Sequence, residues 1–205
     1  MIRTKADLTD YILQDAKAYG RTSARPRFFG DEIWKFQLLL RKTEYFHNLH
    51  GIYRLLCYPL YVVTKFRLHH CKLKLGFSIP LNVFGPGLTI PHYGTIVVAN
   101  KAVIGKNCRI HEGVTIGATN GNSGAAYIGD NVFLGSGAKI IGEVTIADNV
   151  AIAANAVVVK SIEEPGTTWG GIPARKISNN DSFLNLGTCV LRPQKILCNR
   201  QSMTV

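Results

Sequence analysis

From Val98 onward the chain repeats itself every six residues. Val98, Ile104, Ile110 and Ile116 are followed by Ala99, Gly105, His111 and Gly117, and the pattern resumes at Ile128, Leu134, Ile140, Ile146, Ile152 and Val158. Four places after most of these aliphatics stands a second small or aliphatic residue: Ala102, Cys108, Val114, Val132, Ala138, Val144, Val150 and Ala156. A helix repeats at about 3.6 residues and a strand at about 2, so neither alone sets this period. A parallel β-helix does. Each hexapeptide is one short strand and its turn, three close a triangular coil, and the inward aliphatics stack into a continuous core. The expected fold is therefore mainly β, a parallel β-helix of hexapeptide repeats across residues 77–178 with a small helical region before it.

Residues 1–76 form that helical region. ADLTDYILQDAKAYG carries apolar residues at helical spacing and stops at Gly20, and GDEIWKFQLLLRKTEYFHN begins at Asp31, an expected N-cap, with Ile33, Trp34, Leu38 and Tyr45 near one face. Residues 51–76 read as a helix that gives way to an extended entry segment. The tail, 179–205, matches no pattern.

Charge is concentrated at the start. Residues 1–76 hold 14 Lys and Arg against 6 Asp and Glu, whereas residues 77–160 hold 5 against 4. In YRLLCYPLYVVTKFRLHHCKLKLG, residues 53–76, the cations alternate with Tyr, Leu and Phe. That mix could suit an anionic membrane surface or an anionic substrate, but first of all it suits a helix that packs its apolar face on the core and solvates its charges. His69 and His70, beside Lys72 and Lys74, read as solvated. No nucleic-acid motif accompanies the charge. No apolar run reaches the length of a spanning helix, and the polar start has no signal-peptide pattern, so the expected location is the cytoplasm, including the inner face of the membrane. The five cysteines are odd in number, widely spaced and without a CxxC pair, which favours free thiols over disulfides or a metal site.

The repeat is interrupted once. ATNGNSGAAY, between Gly117 and Ile128, has turn residues and no aliphatic at the six-residue step, so it reads as a loop ejected from the coil. With VTIG before it, His92 earlier and GGIPARKI at 170–177 after it, the chain resembles the hexapeptide-repeat acyltransferases, and among them serine acetyltransferases. The short helical lead and GPGLTIPHYGTIVV look more like sugar and capsule O-acetyltransferases. The resemblance implies left-handed coils, a homotrimer with sites between prisms, and acetyl-CoA as co-substrate without a metal.

It also implies roles. His92 falls where the general base stands, a task suited to an imidazole with an ordinary pKa near ~6.5. No cysteine occupies a nucleophile position, so direct transfer is expected. His111 follows His92 by little more than the three hexapeptides of one coil, which puts both on one edge; it either contacts acceptor or thioester, or caps a turn. Ser136, Ala154 and Gly171 are expected along the coenzyme A arm, with Lys160, Arg175 and Lys176 near its phosphates. Thr119, Asn120, Asn122 and Ser123 are candidate acceptor contacts. The positions at which serine enzymes carry base-orienting carboxylates are Phe77 and Pro91 here, so Asn82, a backbone carbonyl or Glu112 must serve. Where those enzymes grip the amino acid's carboxylate with Arg and His stand Gly124 and Ala125. The sequence thus reads as an acetyl-CoA-dependent O-acetyltransferase for a glycan hydroxyl, in a surface polysaccharide or its precursor. Serine O-acetylation and a non-catalytic β-helix scaffold are the alternatives.

Overall fold

The computed structural model describes residues 1–119 and 124–186. Of the candidate acceptor contacts, Asn120, Asn122 and Ser123 lie outside the described residues, as does the tail beyond Leu186.

Helix α1 (Lys5–Ala18) opens on a capping box in which Thr4 and Asp7 satisfy each other's backbone N–H groups. Helix α2 (Glu32–His47) starts at Asp31 as expected, but Asp31 does not cap it. Its backbone is left-handed, at φ 58°, and its carboxylate instead binds Arg21 (2.7 Å) and Arg27 (3.0 Å), closing the loop between the helices. The buried face of α2 runs through Ile33, Phe36, Gln37, Leu40, Arg41 and Glu44, so Leu38 and Tyr45 are only half-buried. Residues 51–75 are two helices, α3 (Gly51–Leu56) and α4 (Tyr58–Leu75); no extended segment precedes Gly76, whose left-handed φ of 78° ends α4.

The strands are β1 (Phe77–Ser78), β2 (Ile96–Val98), β3 (Val103–Ile104), β4 (Arg109–Ile110), β5 (Thr115–Gly117), β6 (Tyr127–Ile128) and β7 (Phe133–Leu134). After them come β8 (Lys139–Ile141), β9 (Thr145–Ile146), β10 (Ala151–Ile152), β11 (Val157–Val158), β12 (Thr168–Gly170) and β13 (Arg175–Ser178). They form the three sides of a left-handed prism, ordered β1-β2-β5-β8-β11, β3-β6-β9 and β4-β7-β10-β12-β13. Pairing is parallel except for the closing β12–β13 hairpin. Val97 pairs with Thr115 and Lys139 with Val157, each one regular coil further along the chain. Thr115 pairs with Lys139, a hexapeptide's length beyond the regular step, because the ejected loop lies within that coil. Every hexad aliphatic named above is at most 4% exposed, and so is every residue four places later except Val144 at 6%. That stacked column is the core. Along one corner Asn107, Asn131 and Asn149 adopt left-handed φ of 55°, 56° and 61° and pass amide hydrogen bonds from coil to coil, at 2.8 and 2.9 Å.

The helical lead grips the first coil just ahead of His92. Buried Arg41 binds Asp15 (2.8 Å) and Glu44 (3.1 Å) and donates to the carbonyls of Phe84 (3.0 Å) and Gly85 (2.7 Å). Asp15 in turn accepts from the N–H groups of Gly87 (2.7 Å) and Leu88 (2.9 Å), and Gln37 donates to the Leu88 carbonyl (2.7 Å). The Tyr19 hydroxyl donates to the Ile90 carbonyl. Burial pushes that phenol up to about 12, so it remains a donor at neutral pH.

Candidate active site

The turns that precede β2, β5 and β8 stack on one edge of the prism. Gly113 N–H donates to the Thr95 carbonyl (2.7 Å), Gly137 to Glu112 (2.8 Å), Asn155 to Ser136 (2.8 Å) and Val157 to Gly171 (3.0 Å). Glu112, Ser136 and Ala154 therefore succeed one another coil by coil, with Gly171 beyond, at roughly 4.8 Å per strand spacing. His92 and His111 stand at the start of this line, ring centroids 5.5 Å apart and nearly edge to face. Gly94 lets the two turns meet: its φ is 133°, and a Cβ there would lie 3.0 Å from the Glu112 Cβ.

The two imidazoles differ in surroundings. His111 packs edge to face on Phe133, with centroids 5.1 Å apart. Arg109 Nε donates to its Nε2 at 3.4 Å, which leaves the proton of the neutral ring on Nδ1, facing Ser136 Oγ at 3.4 Å and Glu112 Oε2 at 3.9 Å. Burial, then the Arg109 charge, holds the His111 pKa below its ordinary value, so this ring is neutral at pH 7. His92 is exposed and makes no hydrogen bond among the described residues, leaving its ring free to meet a substrate proton. Glu112 sits between the two. One side-chain atom from each of His92, His111 and Glu112 falls within 4.8 Å of the others, and Glu112 Oε2 is buried without a hydrogen-bond partner. The Ser136 hydroxyl and its own backbone N–H keep the Glu112 carboxyl below its ordinary value, hence ionised. A carboxylate oxygen with no partner, beside two imidazoles, is a ready acceptor for an imidazolium.

Of the two side chains weighed as orienting groups, Glu112 lies beside both histidines and Asn82 does not. Asn82 is locked in a reciprocal amide pair with Asn48 (2.8 and 3.0 Å), and its N–H donates to Glu44, on the helical lead. Phe77 is core, edge to face on Phe36. Thr119 is also away from the histidines: it follows the far end of β5 and lies against Gly142. Gly124, at the return of the loop, faces Glu143, whose carboxylate would have to move to admit a Cβ, 2.4 Å away. Lys160 and Arg175 share a groove of about 140 Å³ with Pro173 and with Trp169, a contact residue that the sequence pattern did not single out. Lys176 is tied to Glu164 at 2.5 Å instead. Cys108 is a core residue whose thiol burial pushes up to about 12, which removes it as a nucleophile.

The family model for bacterial transferase hexapeptide repeats matches residues 125–160. Over 163 residues the chain is 33% identical to the serine acetyltransferase of Synechococcus elongatus, covering 69% of this chain and 66% of that one. With the serine acetyltransferase of Helicobacter pylori it shares 32% identity over 142 residues, 63% of this chain and 82% of the relative. The chain belongs to the serine acetyltransferase family of hexapeptide-repeat transferases. The solved serine acetyltransferase of Brucella abortus in complex with coenzyme A superposes with a TM-score of 0.64 at 26% identity, over 86% of this chain and 70% of that one. The likeness to capsule and sugar O-acetyltransferases finds no counterpart among these relatives, which all carry the serine enzyme's name.

Proposed function

We propose that this chain transfers the acetyl group of acetyl-CoA to an alcohol, with His92 as general base. One observation carries the reading: an exposed imidazole, beside a Glu112 carboxylate with one unpartnered oxygen, stands at the head of an edge lined by Ser136, Ala154 and Gly171, small residues that leave room for a slender thioester arm. Acetyl-CoA supplies the acyl thioester there, and the shared groove of Lys160 and Arg175 supports them as the cations for its phosphates. His92 takes the hydroxyl proton as the oxygen attacks, and Glu112 stabilises the imidazolium that forms. The thiol leaves with a proton returned by the same ring.

The relatives' name favours L-serine as acceptor. The ejected loop favours a second reading. Gly124 and Ala125 offer no cation to a substrate carboxylate, and the Glu143 carboxylate beside Gly124 repels one, whereas a neutral sugar hydroxyl needs neither. The loop leaves β5 at the end opposite the histidines, so to share in a His92 site it would have to do so from a neighbouring copy. This supports a homotrimer with sites between prisms. Acetyl-CoA turnover on L-serine, free hexoses and a polysaccharide decides between acceptors. Saturation by serine within the millimolar range usual for metabolic enzymes selects the first, and turnover on sugar alone selects the second. No turnover on any alcohol, with no acetyl-CoA binding, leaves a scaffold.

A further inference from the structure

Helix α4 is apolar on both sides, which is the composition of a buried helix, yet only one side is covered. Cys57, Tyr61, Thr64, Leu68, Cys71 and Leu75 recur at steps of three and four and face the core, with Leu68 and Leu75 buried. Opposite them Val62, Val63, Phe66 and Leu73 are bare, Phe66 at 63% and Leu73 at 69% exposure. Helix α3 continues this surface with Ile52, Tyr53, Leu55 and Leu56, and none of its residues is buried. A contiguous exposed apolar surface of this kind is an interaction site.

Charge decides what it meets. Residues 51–76 hold Arg54, Lys65, Arg67, Lys72 and Lys74 and no Asp or Glu. A second copy applied through the same face would set two acid-free basic surfaces against each other, a like-charge contact that costs affinity. A surface with negative headgroups over an apolar interior matches both features at once. Between α2 and α4 the same face opens into a groove of about 410 Å³, floored by Pro26, Leu38, Leu39, Phe66 and Cys71. Lys35, Lys42, Arg67 and His70 line it as well, so apolar and cationic groups share one slot, although Lys35 is partly occupied by Glu32 (3.7 Å) and the Phe28 carbonyl (2.7 Å). Beyond Pro26 the loop presents Phe28 and Phe29, both more than 80% exposed. No helix among the described residues is long and apolar enough to cross a membrane. We infer that the outer face of α3 and α4, with the groove beside it, seats this protein peripherally on an anionic lipid bilayer.

Flotation of the purified chain with vesicles tests this without reference to catalysis. Phosphatidylcholine vesicles containing about a third phosphatidylglycerol should capture the protein at least about tenfold more strongly than phosphatidylcholine alone, and raised salt should weaken capture. The pair Phe66→Glu and Leu73→Glu, both at exposed positions, should lower that affinity by about tenfold or more while melting temperature and elution volume stay unchanged. Absence of capture, or capture indifferent to the two substitutions, overturns the inference. A shift of the variant to a smaller assembly overturns it too, because the face would then be covered by another copy.

Discussion

Replacing Glu112 by Gln keeps the shape of the side chain and removes its charge, so the loss it causes measures what the carboxylate does for the imidazolium. Its oxygen lies within 4.8 Å of the ligand atoms of His92 and His111. Coulomb's law over that separation gives about 0.9 kcal/mol in water and about 3.5 at an effective dielectric of about 20. The Glu112 side chain is 36% exposed, which draws the figure toward the watery end. About 1.4 kcal/mol is therefore expected, a tenfold fall in kcat with the KM for acetyl-CoA little changed. The assay is release of free thiol from acetyl-CoA at saturating acceptor, run on four proteins: the parent, Glu112→Gln, His92→Ala and the double variant. If Glu112 acts through His92, the double variant should be no slower than His92→Ala alone. Full additivity of the two losses, or unchanged turnover in Glu112→Gln, would refute the reasoning.

Three further outcomes are expected. His92→Ala should lower turnover by about 10²–10⁴ while the melting curve and acetyl-CoA binding, read by calorimetry, stay near parent values. Charge reversal at Lys160 and Arg175 should raise the KM for acetyl-CoA more than that for the acceptor, and reversal at the already paired Lys176 should do less. Because burial and Arg109 depress the His111 pKa, the folded state takes up that proton less readily than the unfolded chain. The contribution of His111 is then complete above about pH 6.5 and is lost as pH falls below it, levelling off once the folded state protonates too, so His111→Gln should flatten denaturant midpoints across that window.

The prism was legible because its period is enforced at every coil: any polar side chain at Ile110, Leu134 or Ile152 would be buried without a partner. The histidine pair was legible for the same reason, since a separation of about one coil maps to neighbouring coils on one edge. The groups that surround those histidines were not. Glu112 could be weighed only beside Asn82 and the backbone, because choosing needed the knowledge that Asn82 is held by Asn48, a contact far away along the chain. Asp31 sits where a helix begins, yet two arginines claim its carboxylate from across the loop. In 51–76 the apolar residues on both sides of α4 erase the amphipathic signal, so the sequence alone does not show where the helix ends. Trp169 lies outside the hexad pattern, and only the closing hairpin brings it to the groove that holds Lys160 and Arg175.

The asparagine ladder has a bearing on how this chain can change in length. Asn107, Asn131 and Asn149 meet only because whole turns separate them. Duplicating or excising one complete coil would bring amide to amide again, whereas adding a single hexapeptide would carry everything downstream round by one side, taking Ala154 and Gly171 away from the histidine edge. The coil from Thr115 to Lys139 shows the exemption: its extra residues depart at a corner and the register on either side is undisturbed. Growth and shrinkage are therefore quantised along the asparagine ladder, whereas extra residues leave at that exit, and the first and last coils, where Phe77 pairs with Ile96 and Ala151 with Thr168, keep their alignment without a whole-hexapeptide step.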